Sequence, residues 1–358
     1  MKTRLILTLM FLFALAFAGG GAIKVLAQQG QQNLLPLRLT PSLVSILRMI
    51  NWVALNEGIY RKNGLDVDQC MPQNDVDDLK EVLKIDAPAQ YRCKPDGPPS
   101  PIGLSGGQPA FMGHFASNNP TPRKRVILAT VQDRTNYVIY ARKDITVPEQ
   151  LRGKRLAITS RTNILGFQAL LFCRAMGWEP DKDITFVIDP SGMNDGLISG
   201  KFDAYIAGEG LPLWQAVQAG QKPLIEFKYW KVPMASSSVH VEETWLQNNR
   251  ETARRFVKSM VDTIAVVKQD KQAFFRALAK YYNIKDPKMQ EFFYNTWDFP
   301  AKPYPAVEGL RNAKVLFDGQ PGLRLEDFRK ARVEDYIDDS FVRELDQSGY
   351  IDSLYKKK

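Results

Sequence analysis

The sequence predicts an α/β protein with parallel sheets. Runs rich in β-branched and aromatic residues alternate with helical runs from about residue 34 to residue 219. This alternation is typical of parallel strands covered by helices. Hydrophobic residues make up 44% of the 358 positions and charged residues 24%. That composition excludes a disordered chain and suffices for one large two-lobed domain or two ordinary ones.

The predicted elements follow one another with short connections. The expected strands are 34–39, 64–67, 101–105, 126–131, 137–141, 155–159, 184–188 and 202–207. The expected helices between them are 42–60, 75–85, 108–116, 164–176, 193–199 and 213–219. Gly177 ends one of these helices, and the four prolines of 95–101 predict a loop. From Thr244 the chain turns helical, with apolar residues of 253–264 at i, i+3, i+4 and i+7.

The first 27 residues predict a signal peptide. Lys2 and Arg4 precede an apolar run, 5–18, that is too short for a membrane-spanning helix. Val25-Leu26-Ala27 fits the small-residue cleavage pattern, Ala16-Phe17-Ala18 is an earlier alternative, and an uncleaved anchor helix is the other interpretation. We therefore expect a periplasmic protein that begins near residue 28.

Charge and residue counts exclude several classes of function. The net charge is +9 but no long basic run concentrates it, so no nucleic-acid partner is expected. His114 and His240 are the only histidines and there are three cysteines, which excludes a His-rich metal site and an all-cysteine zinc site. No metal or cofactor is expected.

Export makes disulfides permissible. Cys70 and Cys93 flank a polar, proline-containing loop, and we interpret them as a disulfide pair; two unpaired thiols are the alternative. Cys173 lies in an apolar helical run and is predicted to be a buried free thiol.

Four segments resemble the motifs of one protein family. They are ALNEGIYRKNGLDV at 54–67, LRGKRLA at 151–157, GKFDA at 200–204 and YIDDSFV at 336–342. In this order they are similar to the periplasmic solute-binding proteins for nitrate, sulfonate, taurine and thiamine precursors, which feed ABC importers. The long segment 69–101 departs from the family's shorter strand–helix–strand pattern.

The resemblance implies a type II periplasmic binding protein fold, with two α/β lobes, a cleft and two crossing segments. Lobe one would comprise 28–134 and 236–358, and lobe two 135–235. Residues 133–136 and 233–239 suit the crossings, because small residues and a proline at element boundaries absorb the backbone changes of hinge closure.

The implied function is that of the extracytoplasmic substrate-binding component of an ABC importer. Such a protein is expected to be a monomer that captures a small polar or anionic organic solute by lobe closure. It would deliver that solute to a permease in the cytoplasmic membrane. A ligand-binding sensor that is not coupled to transport is the alternative.

The candidate ligand-binding residues follow strands or lie at a crossing. Ligands of this class of sheet bind outside the carboxyl ends of strands, and helix N-termini favour anions. The candidates are Thr40, Ser42, Ser105, Gly106, Gly107, Arg134, Ser160, Arg161, Thr162, Asn163 and Glu209. Helix capping is the alternative role for each Ser or Thr; for 160–163 the resemblance favours ligand contact.

One motif points to an enzyme. Residues 103–107 read G-x-S-x-G, the nucleophile elbow of serine hydrolases, between a strand and a helix. Ser105 would be the nucleophile and His240 its base, with Asp189, Asp203 or Glu209 as the acid. The motif is short and glycine-rich, and hydrolysis explains none of the other segments, so we do not expect an enzyme.

Overall fold

The computed structural model describes residues 33–40, 49–94, 97, 99–134, 137–189, 193–208, 210–296 and 298–356. The predicted signal segment and two candidate site residues, Ser42 and Glu209, lie outside the described residues.

The first strand and helices form a β–α–β unit. Strand β1 (Leu35–Leu39), helices α1 (Met49–Asn56) and α2 (Ile59–Lys62) and strand β2 (Leu65–Gln69) follow in order, with β1 and β2 paired in parallel. The sequence predicted one helix across 42–60. Instead α1 and α2 are separate helices, because Gly58 between them adopts φ 68°, a left-handed conformation that interrupts a helix and that glycine adopts at little cost.

The middle of the chain supplies the remaining strands. Helix α3 (Gln73–Leu83), strand β3 (Ile102–Gly106), helix α4 (Gly107–His114) and strand β4 (Arg125–Gln132) come first. After them come β5 (Val138–Ala141), β6 (Arg155–Ile158), α5 (Ile164–Met176), β7 (Thr185–Ile188), α6 (Met193–Ile198), β8 (Ala204–Ala207), α7 (Leu211–Gln218), β9 (Pro223–Glu226) and β10 (Ser237–Glu242).

The five-stranded sheet is mixed and the three-stranded sheet is antiparallel, which corrects the expectation of parallel sheets. One has the order β3-β10-β4, with β10 antiparallel to both neighbours; the other has the order β7-β6-β8-β5-β9, with β5 antiparallel to β8 and β9. Both antiparallel strands lie beside the crossings, where the chain enters or leaves the five-stranded sheet. Neither β9 nor β10 was predicted, because Ser237, Ser238 and His240 give β10 a polar sequence although all three are buried.

Two adjacent segments connect the five-stranded sheet to the rest of the strands. The chain leaves β4 through Asp133 and returns from β9 to β10 through Met234. The backbone N–H of Met234 donates to the carbonyl oxygen of Asp133 at 2.8 Å. The return segment ends where β10 begins at Ser237. The second predicted crossing, 233–239, therefore overlaps the start of β10.

The last third is helical. Its helices are α8 (Glu243–Asn248), α9 (Arg250–Gln269), α10 (Lys271–Tyr282), α11 (Pro287–Asn295), α12 (Val307–Phe317), α13 (Leu325–Lys330), α14 (Ser340–Gln347) and α15 (Tyr350–Tyr355). Helices α9 and α10 share a core with α1 and the three-stranded sheet, centred on Trp52 and Phe256. In contrast, α12 packs in a second core with α4 and α5, through Phe317, Phe111 and Phe167. The segment around α12 therefore contacts both halves of the molecule.

The cysteines adopt the predicted arrangement. Cys70 and Cys93 form a disulfide, and Cys173 is buried and free. Burial raises the pKa of the Cys173 thiol to about 12, so it stays protonated and unreactive at neutral pH. In the described part of the chain, no helix combines the length and apolar character needed to span a bilayer.

Candidate functional site

A cavity of about 310 Å³ lies beside the three-stranded sheet, and we call it the polar cavity. Its walls come from the end of β1, the segment leading into β3, β3 itself, the starts of α1 and β4, β10 and α9. The lining residues are Leu39, Thr40, Asn51, Pro99, Ser100, Ile102, Gly103, Leu104, Ser105, Arg125, His240 and Phe256. Two sequence candidates, Thr40 and Ser105, therefore come together here.

A chain of three polar side chains crosses one wall of the polar cavity. Ser105 Oγ lies 2.8 Å from His240 Nε2, and Arg125 Nε lies 2.8 Å from His240 Nδ1. The pKa of the Arg125 guanidinium is lowered, chiefly by burial, and the carboxylate of Glu242, 3.9 Å away, acts in the opposite direction. Because an arginine guanidinium remains protonated at neutral pH, Arg125 Nε is a donor and His240 Nδ1 must accept.

This direction fixes the tautomer of His240. A neutral imidazole whose Nδ1 accepts carries its proton on Nε2, so Nε2–H donates to Ser105 Oγ. His240 therefore has no lone pair with which to take the Ser105 proton. A serine hydrolase needs the opposite arrangement, with a carboxylate accepting from Nδ1–H. The geometry argues against the hydrolase interpretation.

The two outer glycines of the G-x-S-x-G motif have packing roles. Gly103 lies opposite His240 in the strand pair, and a Cβ at Gly103 would come 2.2 Å from His240 Cε1. A Cβ at Gly107 would come 2.5 Å from Ser238 Oγ. Such contacts are impossible without displacement, so the motif here makes room for β10 and is not a nucleophile elbow.

Two further side chains of the polar cavity have their oxygens occupied. Thr40 Oγ1 accepts from the backbone N–H of Ser100 at 3.1 Å. Asn51 Oδ1 accepts from the hydroxyl of Tyr60 at 3.0 Å, and burial raises the pKa of that phenol well above its usual value. The hydroxyl hydrogen of Thr40 and the amide hydrogens of Asn51 find no acceptor among the described residues.

Buried amides near the ends of β2 and β3 were missed by the sequence interpretation. Gln108, at the start of α4, is fully buried, and neither atom of its amide has a hydrogen-bond partner among the described residues. Gln69, the last residue of β2, is 8% exposed and likewise unpartnered. An unpaired buried amide costs roughly 1–3 kcal/mol, so these two residues are further candidates for ligand contact. No sequence signal separates them from ordinary surface glutamines.

The predicted cluster at the N-terminus of α5, residues 159–163, is largely satisfied within the protein; we call it the α5 cap cluster. Asn163 Oδ1 accepts from the backbone N–H groups of Leu165 and Gly166, and Asn163 Nδ2 donates to Thr159 Oγ1. Ser160 Oγ accepts from the N–H of Thr162 at 3.3 Å. The two bonds to Asn163 Oδ1 cap α5, which is the alternative that the sequence left open, and the bond to Ser160 closes a turn just before the helix.

The predicted cation of this cluster is paired. Both terminal nitrogens of Arg161 contact the carboxylate of Asp181, at 2.7 and 2.6 Å, and its guanidinium lies over the ring of Phe186. Asp181 has a lowered pKa, chiefly because Arg161 donates to it. The charge of Arg161 is therefore already neutralised by a neighbour.

The remaining candidates occupy the junction of the two halves. A Cβ added to Gly106 would lie 3.5 Å from Cδ1 of Ile164, so the end of β3 approaches the first residue of α5. The N–H of Gly107 donates to Ser236 O at 3.1 Å. This bond uses the donor that the sequence assigned to a ligand. Arg134, at the first crossing, is exposed, and its nearest carboxylate among the described residues is that of Asp133 at 4.0 Å.

The aspartate of the GKFDA segment has a structural environment. Asp203 accepts from the side chains of Arg142 and Arg155 and from the backbone N–H of Arg155. Burial alone would raise the pKa of this carboxyl, but the hydrogen bonds from Arg155 lower it on balance. Asp203 therefore joins β5, β6 and β8. No group of three or more His, Cys, Asp and Glu suited to a metal ion occurs within the described ranges.

Comparison with known proteins identifies the fold. Residues 114–273 match the profile of a family described as NMT1/THI5 like. No curated protein matches the chain by sequence. The periplasmic nitrate-binding protein NrtA from Synechocystis PCC 6803 superposes with a TM-score of 0.66 at 13% identity, covering 91% of this chain and 92% of that one.

Two other solved structures with a similar fold are a binding protein and an enzyme. The periplasmic aliphatic sulphonate binding protein SsuA from Escherichia coli superposes with a TM-score of 0.59 at 13% identity, covering 82% of this chain and 96% of its own. The desulfurization enzyme DSZB gives 0.52 at 15% identity, covering 88% and 99%. The matches confirm the resemblance predicted from the motifs, and the chain has the fold of the periplasmic binding proteins.

Proposed function

We propose that the chain is the extracytoplasmic substrate-binding component of an ABC importer and captures a small solute that carries an oxyanion. The candidate solutes are nitrate, sulfonates and thiamine-precursor-like compounds that carry an acidic group. Lobe one would comprise 28–134 and 236–358, lobe two 135–235, and the mature protein would be a periplasmic monomer that docks on a permease.

The observation that carries this proposal is the junction of the two halves. The end of β3 at Gly106 and the start of α5 at Ile164 approach each other at the carboxyl ends of their strands, where sheets of this class bind ligands. The polar cavity lies on the β3 side of that junction. The two crossings, joined by the bond from Met234 to Asp133, suit a hinge.

A contact between helices suggests how the lobes close. Trp214 on α7 packs on Phe292 and Phe293 of α11, with ring centroids 4.9 and 6.1 Å apart. In the proposal this aromatic contact forms on closure and breaks on opening. Small-angle scattering of wild type and Trp214→Ala tests it. Ligand should reduce the radius of gyration of wild type, and the variant should be more open without ligand.

A thermal-shift screen of the mature protein tests the ligand class. Sulfonates, nitrate, carboxylates, pyrimidines and amino acids form the panel. A ligand at 100 times its Kd stabilises the folded state by about 2.7 kcal/mol, which gives a clear shift. A protein stabilised only by neutral or cationic compounds would contradict the proposed oxyanion.

The alternatives make different predictions. A sensor that is not coupled to transport would bind the same ligands but would not stimulate the ATPase activity of an ABC importer complex. A serine hydrolase would turn over an activated ester and lose that activity in Ser105→Ala. The fixed tautomer of His240 leads us to expect no turnover.

A further inference from the structure

We propose that the polar cavity is a donor-lined pocket for a fully deprotonated oxyanion, in which Arg125 and His240 act as positioning residues for the hydroxyl of Ser105. This inference deepens the proposed function and rests on it for the claim that a solute is bound at all. It assigns recognition of the ligand's oxyanion to side chains in the half of the molecule that contains the three-stranded sheet.

The first step concerns the direction of the hydrogen bonds. Arg125 Nε donates to His240 Nδ1, and His240 Nε2–H donates to Ser105 Oγ, each over 2.8 Å. Ser105 Oγ thus accepts from inside the protein. Its own hydrogen has no acceptor among the described residues, and Ser105 lines the polar cavity. The hydroxyl is therefore oriented to donate to whatever occupies that space.

The second step is that two other lining residues follow the same pattern. Thr40 Oγ1 accepts from the N–H of Ser100, and Asn51 Oδ1 accepts from Tyr60. In all three side chains a protein donor occupies the oxygen, while the polar hydrogens have no protein acceptor in the described chain. Three donors from three different elements line one cavity, and they match the lone pairs of a nitrate or sulfonate oxygen.

The third step is the charge of the wall. Arg125 also lines the polar cavity, and its cation is held against His240, with Glu242 at 3.9 Å. Arg123 also lies against the Glu242 carboxylate, at 3.0 Å, so two guanidinium groups share one carboxylate and this wall keeps a net positive charge. A ligand that offers N–H groups, such as an alkylammonium, would meet donors and a cation. The cavity should therefore reject it.

The test of the hydrogen-bond direction needs no ligand. The chain has two histidines, so long-range ¹H–¹⁵N correlation of ¹⁵N-histidine protein gives two imidazole patterns, and His114→Gln assigns them. His240 should be protonated on Nε2 and bare on Nδ1. A proton on Nδ1, or an imidazolium at neutral pH, would overturn the inference.

The test of the pocket uses ethanesulfonate and nitrate as oxyanions and propylamine as the cationic counterpart, each titrated calorimetrically. Wild type should bind an oxyanion and not propylamine. Ser105→Ala should weaken oxyanion binding by about 10- to 100-fold, the range for one hydrogen bond to a charged group. Ser238→Ala, on the neighbouring strand and outside the cavity, is the matched control and should leave the affinity unchanged.

Two substitutions of His240 separate positioning from mere packing. In His240→Gln the amide oxygen accepts from Arg125 and the amide nitrogen donates to Ser105, so the affinity should stay within about threefold of wild type. His240→Leu removes both bonds and should weaken binding as much as Ser105→Ala. Equal affinities of the Leu and Gln variants would contradict a positioning role.

The outcomes also separate this inference from the proposed function. If neither oxyanion binds to wild type although His240 has the stated tautomer, the oxyanion class and the proposed function fail while the hydrogen-bond chain stands. If an oxyanion binds with unchanged affinity in Ser105→Ala, the proposed function survives and the polar cavity is not its site.

Discussion

The polar cavity and the α5 cap cluster contain the same kinds of side chain but differ in where their hydrogen bonds go. In the cap cluster, Asn163 Oδ1 accepts from the first turn of α5, Ser160 Oγ accepts from the N–H of Thr162 just before the helix, and Arg161 pairs with Asp181. In the polar cavity, the oxygens of Thr40 and Ser105 are occupied and their hydrogens are not. Hydroxyls, amides and a cation that follow a strand can therefore either cap a helix within the protein or present donors to a ligand.

The same contrast extends to the charged residues of the two halves. In the five-stranded half, Asp203 collects donors from Arg142 and Arg155 and serves the sheet itself. In the other half, Arg125 donates to one ring nitrogen of His240, and the other ring nitrogen contacts Ser105 in the polar cavity. If this difference is correct, substitutions in the half that contains the five-stranded sheet should change the free energy of unfolding. Substitutions around the polar cavity should change the affinity for the ligand.

The largest expected effect on stability is that of Asp203→Asn. The change replaces an oxygen acceptor by a donor facing two guanidinium groups, and we expect a loss of roughly 2–4 kcal/mol in the free energy of unfolding. Urea denaturation measures it. Asp144→Asn is the matched control, because Asp144 also contacts Arg142 but is exposed, and its effect should be much smaller.

The pH dependence of that effect has a definite sign. The pKa of Asp203 is lowered from its usual value near 3.8, so its contribution to stability is present above that value and is lost as the pH falls through the lower, folded-state pKa. The difference in unfolding free energy between wild type and Asp203→Asn should therefore be constant from pH 6 to 5. It should shrink below about pH 4. A difference that grows in acid would contradict the assignment.

A smaller effect is expected for Gly103→Ala. The new Cβ would lie 2.2 Å from His240 Cε1, and overpacking of this kind typically costs about 1–3 kcal/mol. Because the imidazole must move, the ¹⁵N pattern of His240 should change as well. Gly113→Ala in α4 is the control: no atom lies within 4 Å of the added Cβ, and the helix should gain a few tenths to about 1 kcal/mol.

Asn163→Ala should cost about 1 kcal/mol, since it removes the cap that accepts from Leu165 and Gly166. Thermal unfolding measures the loss, and Asn163→Asp should retain the cap because a carboxylate accepts the same bonds near the positive end of the helix. Ligand affinity should be unchanged in both. A variant that keeps its stability and loses its ligand would place Asn163 in the binding site and remove the contrast between the regions.

The smallest effect is expected for Arg161→Gln. The pair with Asp181 is partly exposed, and such pairs contribute less than about 1 kcal/mol. If the pair is only structural, the ligand-induced shift in Tm should survive the substitution. A shift that disappears while the Tm of the free protein holds would mean that Arg161 exchanges Asp181 for the ligand, as the sequence interpretation of Arg161 supposes.

Much of the fold was predictable from local patterns. The helix at 164–176, its end at Gly177 and the strand at 155–158 depend on apolar spacing and on a glycine with φ 68°, which are properties of the segments themselves. Strand β10 was not predictable. Its serines and histidine are buried only because β3 and β4 flank it, and a polar hexapeptide by itself resembles a loop.

The candidate site divides in the same way. Sequence placed Thr40 and Ser105 after strands, and both line the polar cavity. It assigned His240 as the base of a hydrolase, an interpretation that it did not favour, and gave no role to Arg125, which lies 115 residues away in the chain. It also did not select Asn51, Gln69 and Gln108. Whether an amide keeps hydrogen-bonding groups for a ligand depends on the residues that surround it in the folded protein.

The sequence by itself predicted most of the strands and helices in their order, the disulfide between Cys70 and Cys93 and the family resemblance, and it carries the prediction of an export signal. These depend on residue type, spacing and short-range backbone preference. Only the tertiary structure decided the antiparallel pairing of β5 and β10, the tautomer of His240 and the donor character of Thr40, Asn51 and Ser105. The physical reason is that a hydrogen bond has a direction set by both partners, and those partners meet only after distant segments pack together.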